Sequence, residues 1–277
     1  MTVITHKNVL STYLSDWNMK IRLFPKPKDP KAPLDGHSDI FRAISTGERD
    51  IGIFLRLLDE RLRALEKRPF PTIENIKDFN FNVDAEAIVL LKALYVHTRI
   101  YLDAIAGVLQ FFHRRMNLPK SFNALLKKIG TSAIPNDLSQ VLSSVPKWFS
   151  QFRKTRVNLV HDYEDFLLLF YGKGDEKEIH HASLTRMDRD KAFDYGSIRS
   201  SVGGLLKDIQ VMVDDLLDHF DARFYEWYGF VQSPTSRTQT MFEDGYMLYW
   251  AYKYGGYSHP DLHVQENESL AALNRLP

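Results

Sequence analysis

The densest set of groups able to do chemistry lies in eight residues, Arg156 to Tyr163 (R-V-N-L-V-H-D-Y), which carry Arg156, Asn158, His161, Asp162 and Tyr163. Around them the apolar residues Phe149, Phe152, Leu159, Val160, Tyr163, Phe166, Leu167 and Phe170 recur at three- and four-residue steps, the spacing of one helix face. At about 100° per residue, Arg156 falls within about 20° of Tyr163, so an arginine occupies the middle of an apolar stripe. Arginine is almost never buried alone. It must meet a carboxylate, such as Asp103 on a facing helix, or a phosphate, or a water-filled cleft. His161 is turned roughly 140° away from Arg156. It titrates near neutrality and so can act as an acid or a base. Lys147, Arg153 and Lys154 join Arg156 in a basic group that gives a local positive field.

Other polar groups compete with this set. Asp214, Asp215 and Asp218, followed by His219 and Asp221, resemble the Asp-Asp-x-x-Asp element with which all-α prenyl-transfer enzymes hold magnesium. That chemistry needs a second acidic motif and basic diphosphate ligands, and the chain has neither. The acids therefore read as the solvated face of a helix whose apolar stripe is Ile209, Val213, Leu216, Leu217 and Phe220. His180, His181, His259 and His263 lack the partner spacing of a zinc helix and read as surface histidines. Tyr246, Tyr249, Trp250, Tyr252, Tyr254 and Tyr257 could stack bases, but Lys253 is the one lysine among them, so a packing segment is expected. No metal site and no cofactor is expected.

Of 277 residues, 44% are hydrophobic and 26% charged, the balance of a globular chain able to bury its own core. Zero cysteine removes disulfides, thiolate metal sites and cysteine nucleophiles together. A formal net charge of +1 argues against a surface that coats nucleic acid or anionic lipid non-specifically. No apolar run of roughly 18 residues occurs and none follows a basic start, so no signal peptide, no spanning helix and a cytoplasmic location are expected.

Glycine and proline are sparse and clustered, and the stretches between them have helical period, which predicts an all-α protein. A short helix precedes a Pro/Lys-rich linker at 24–37. A helix follows over about 47–67, ended by Pro69 and Pro71. Asp84 caps a long helix over about 85–116, Ser121 to Ile129 forms a short one closed by Gly130, and helical pattern resumes from Asn136 to Tyr171 with a break near Pro146. A polar stretch with a short hairpin near Ile179 to Leu184 then leads to a last helix over 197–228. The predicted organisation is a helical N-terminal extension at 1–80, a bundle at 81–230, and a turn-rich aromatic segment at 231–277 that packs on it.

The run from Arg156 to Tyr163 resembles the Arg-x4-6-His signature of the HEPN superfamily. Its longer form is similar to the Arg-x4-His-x-Tyr motif of HEPN toxins paired with minimal nucleotidyltransferase antitoxins. The resemblance implies a helical bundle that dimerises so that two motifs face each other across a cleft, forming a metal-independent ribonuclease of toxin or defence type. Arg156 and His161 would then be catalytic, Asn158, Asp162 and Tyr163 supporting, and Lys147, Arg153 and Lys154 RNA-binding. Such a homodimer would act on RNA and answer to a cognate antitoxin or nucleotidyltransferase, and Tyr163 matches the tyrosine to which that partner attaches AMP. The chain departs from the family in its length and in having Val157 after the arginine, where a polar residue is common; Asn158 stands one step later. RNA cleavage without a metal needs a base for the 2′-hydroxyl proton, an acid for the leaving 5′-oxygen and cations for the phosphorane charge. His161 from each subunit and Arg156 have those properties. The other class of function open to the same motif is a non-catalytic HEPN-like module that binds a nucleotide or a protein partner.

Overall fold

The computed structural model describes residues 10–15, 38–67, 84–114, 116–161, 166–173, 176–184 and 192–228. The linker at 24–37 and the aromatic segment at 231–277 lie outside them. The helices are α1 (10–15), α2 (Ser38–Glu66), α3 (Ala85–Phe112), α4 (Phe122–Leu126), α5 (Asn136–Val141), α6 (Val145–His161) and α7 (Ile198–Tyr228). The fold is all-α in its body, as the periodicity predicts, and a small sheet lies between α6 and α7. None of the described helices is long and apolar enough to cross a membrane.

Local chemistry sets the starts of α3 and α4. Asp84 accepts the Ala87 N–H at 2.9 Å and Ser121 accepts the Ala124 N–H at 3.3 Å, so each caps the first turn of its helix. Gly130, at φ 78°, takes the left-handed conformation that favours glycine after α4. α2 begins nine residues before the predicted start at Gly47, which sits inside the helix. A Cβ on Gly47 would lie 3.0 Å from Tyr101 Cδ2 and 3.3 Å from its Cα, so glycine here permits the close approach of α2 and α3.

The expected helix from Asn136 to Tyr171 is corrected at its far end. α6 stops at His161, and Phe166–Lys173 is strand β1 of an antiparallel sheet with β2 (Glu176–Leu184) and β3 (Ala192–Ser197), in the order β1-β2-β3. β1 and β2 pair from Phe166 with Ser183 to Lys173 with Glu176. The run Phe166 to Tyr171 is apolar at every step, which fits a strand as well as a helix. Pairing with β2, where a hairpin is expected, decides between them. His181 on β2 is buried rather than at the surface, because β2 packs against α2 and α7.

A single buried cluster draws on α1 through α7, including Leu10, Leu14, Leu58, Leu62, Leu102, Phe122, Phe149, Phe152 and Phe220. α1 and α2 thus share a core with the helices of the expected 81–230 bundle. α1 is bound at two places: both Glu48 carboxylate oxygens accept backbone N–H groups, of Leu10 and Ser11, at 3.1 Å, and the Tyr13 hydroxyl donates to Asp221 on α7 at 2.8 Å.

Candidate functional site

α6 carries the motif, and its packing on α3 fixes where the motif lies. Tyr95 of α3 stacks on Phe152 at 5.5 Å with an 8° interplanar angle, and the Arg99 guanidinium lies 5.5 Å from the centre of the Phe149 ring. One helix therefore descends as the other ascends. Val145, Phe149, Phe152 and Leu159 are buried, and Arg156 projects within about 60° of all four on a regular helix. The arginine is on the core-facing side, where the sequence spacing puts it. It is half-buried, and its Nε is fully buried with no hydrogen-bond partner among the described residues.

Asp103, the acid considered as its partner, is engaged elsewhere. Its Oδ1 accepts from Arg99 at 3.0 Å and from the Phe122 N–H at the start of α4 at 2.7 Å. Arg99 was not among the residues singled out from the sequence; its i, i+4 spacing to Asp103 on an otherwise apolar helix was the available sign. Burial lowers the Arg99 pKa, Asp103 opposes this, and the charges of Arg156 and Arg153 lower it further. The charges of Arg153 and Arg156 on α6 thus act on Arg99 of α3, and Asp103 is the one carboxylate paired with any of the three among the described residues.

The other expected residues divide. Arg153 is exposed and about 60° from Arg156 around the helix, so it borders the same face. Lys147 and Lys154 are exposed and project roughly 160–180° away from Arg156, on the solvent side of α6. Asn158 is half-buried and projects about 160° away from Arg156 around the helix, on the opposite flank from Lys154. His161 is the last residue of α6; its side chain, Asp162 and Tyr163 lie outside the described residues. Two exposed hydrophobic residues, Ile100 and Val157, adjoin Arg99 and Arg156 in sequence.

Elsewhere, Asp214, Asp215 and Asp218 are exposed on α7 while Ile209, Val213, Leu216, Leu217 and Phe220 are buried, the arrangement of a solvated acidic face. Among the described residues no group of three or more His, Asp or Glu could hold a metal ion. A buried pair missed by sequence reasoning lies where α3, α5 and α7 meet. His113 Nε2 and His219 Nε2 are 2.7 Å apart, with the rings stacked at 5.0 Å. His219 Nδ1 is 3.6 Å from Asp137, which also accepts from Arg223 at 2.8 Å. Phe111, Phe112 and Phe220 beside the two histidines were the one sequence sign that these rings go inside.

Comparisons with family models, with curated proteins and with solved structures gave no match for this chain.

Proposed function

We propose that the chain is a HEPN-like, metal-independent RNA endonuclease of toxin or defence type, acting as a homodimer in which Arg156 and His161 of each subunit line a shared cleft. The observation that carries this reading is Arg156. An arginine on the core-facing side of α6, with a buried Nε lacking a partner and with Arg99 and Arg153 nearby, leaves an excess of positive charge that a phosphate would neutralise. Ile100 and Val157, exposed and next in sequence to Arg99 and Arg156, offer apolar side chains that a second copy would cover.

In this reading one His161 takes the 2′-hydroxyl proton as the 2′-oxygen attacks phosphorus. The His161 of the second subunit gives a proton to the departing 5′-oxygen, leaving a 2′,3′-cyclic phosphate and a 5′-hydroxyl. Arg156 holds the phosphorane through paired hydrogen bonds. Asn158, Asp162 and Tyr163 orient these groups, and a cognate antitoxin or nucleotidyltransferase would act at Tyr163.

The test is cleavage of single-stranded RNA in EDTA. His161→Ala and Arg156→Ala are each expected to reduce the rate by about a hundredfold or more. Cleavage that persists in both variants, or that EDTA alone stops, would overturn the reading. Nucleotide binding that needs Arg156, without any cleavage, would make the chain a non-catalytic module of the same kind.

A further inference from the structure

Arg99 comes from a different helix than the motif, and the packing explains why its head group is placed where it is. Its guanidinium lies over the Phe149 ring at 5.5 Å, and Asp103 holds one end at 3.0 Å. Asp103 is itself anchored by the Phe122 N–H. Arg99 stands four residues beyond Tyr95 and Arg156 four beyond Phe152, the two rings of one stack, and the exposed Arg153 stands three residues before Arg156 on α6. Asp103 is the one carboxylate paired with any of the three among the described residues. A single phosphate on Arg156 would leave Arg99 and Arg153 with a surplus charge.

We propose that Arg99 and Arg153 form a second phosphate subsite beside Arg156, which takes a neighbouring phosphate of a bound single strand and for which Asp103 is the exchangeable partner of Arg99. The inference rests on reading Arg156 as a phosphate ligand. A strand contacts the protein at successive phosphates, so two subsites fix its direction across the motif, whereas one allows it to pivot. Phosphate competes well with Asp103 because Asp103 holds Arg99 through one oxygen that also accepts the Phe122 N–H, whereas a phosphate can accept two parallel hydrogen bonds from the guanidinium.

The probe is a single-stranded 2′-deoxy oligonucleotide, which has no attacking hydroxyl and cannot be cut by this chemistry, bound to the full chain over a series of salt concentrations. Arg99→Gln is expected to weaken binding about tenfold, and to flatten the slope of log K against log salt by about 0.7, the loss of one phosphate contact on a single strand. Arg153→Gln, at an exposed position where folding is not at risk, should flatten the slope in the same way. Asp103→Asn keeps an oxygen for the Phe122 N–H but frees Arg99, so binding should tighten several-fold. That gain should vanish when Arg99→Gln is added. A purely structural role for Arg99 predicts neither the slope change nor the gain. Unchanged slopes in Arg99→Gln and Arg153→Gln, or a gain that survives in the double variant, would overturn the subsite. RNA cleavage that needs His161 but binding indifferent to Arg99 overturns the subsite alone; slope changes without any RNA cleavage overturn the ribonuclease reading and leave the subsite standing.

Discussion

His113 shows how strongly one contact can restrict a titration. Two neutral imidazoles share an Nε2–H···Nε2 bond because one donates and the other accepts; two imidazoliums have only donors to offer and repel. Burial lowers the His113 pKa from 6.5 to about 3, helped by the charges of His219 and Arg223 and opposed by Asp137. The unfolded chain takes up this proton near pH 6.5, whereas the folded chain refuses it until about pH 3. Stability is therefore complete above pH 6.5 and declines as the pH falls through that window, with a slope from this group of at most about 1.4 kcal/mol per pH unit. For Asp137, burial raises the pKa, but the Leu138 N–H and the charges of Arg223, His219 and His113 bring it below 3.8, so its contribution is lost only at lower pH. Urea unfolding from pH 7 to 4 should show the decline in the native chain and a shallower one in His113→Gln. Equal slopes in the two proteins would mean that the pair does not control acid stability.

At the level of elements, the α2–α3 contact depends on two adjacent residues. Gly47 lets α3 approach, and Glu48 then accepts the Tyr101 hydroxyl at 3.1 Å together with the N–H groups of Leu10 and Ser11. Burial raises the Glu48 pKa, and the bonds from Ser11, Tyr101 and Leu10 oppose it. Glu48→Ala would leave four donors, the N–H groups of Leu10 and Ser11 and the hydroxyls of Ser11 and Tyr101, without this acceptor and should cost about 2–4 kcal/mol in chemical denaturation. Gly47→Ala forces the helices apart at a backbone contact and should cost about 1–3 kcal/mol; a change below about 0.5 kcal/mol would show that α2 can shift freely. Neither role was legible in the sequence, because a glycine within a helical pattern reads as a boundary and Glu48 lies outside the apolar stripe beginning at Ile51. The caps Asp84 and Ser121 and the turn at Gly130 were legible, since each acts through residues no more than four positions away. Arg156 on the packed side of α6 was legible for the same reason: helix period is local. The end of α6, the burial of His181 and the packing of Arg99 over Phe149 depend on partners far away along the chain, and periodicity holds no record of them.

At the scale of the whole molecule, α1 is the piece whose removal says most about how the chain is built. The sequence assigns a short helix and the Pro/Lys-rich linker at 24–37 to an N-terminal extension at 1–80, outside the bundle at 81–230. The packing argues otherwise. Leu10 and Leu14 are fully buried, Tyr13 is nearly so, and Tyr13 reaches Asp221 across 208 residues of sequence. Exposing a buried side chain of this size costs about 1.5–3 kcal/mol. Without α1, Glu48 loses the N–H groups of Leu10 and Ser11 and the Ser11 hydroxyl, and Asp221 loses the Tyr13 hydroxyl, so both buried carboxylates are left less satisfied. Several kcal/mol should be lost. At about 2–4 °C per kcal/mol for a chain of this size, the chain beginning at Ser38 should melt about 10 °C or more below the full protein, as followed by circular dichroism. Tyr13→Phe removes one bond while keeping the ring, and should account for about 1–3 kcal/mol of the loss. A shortened chain that melts with the full one would detach α1 from the core and restore the division of the molecule at its N-terminal extension.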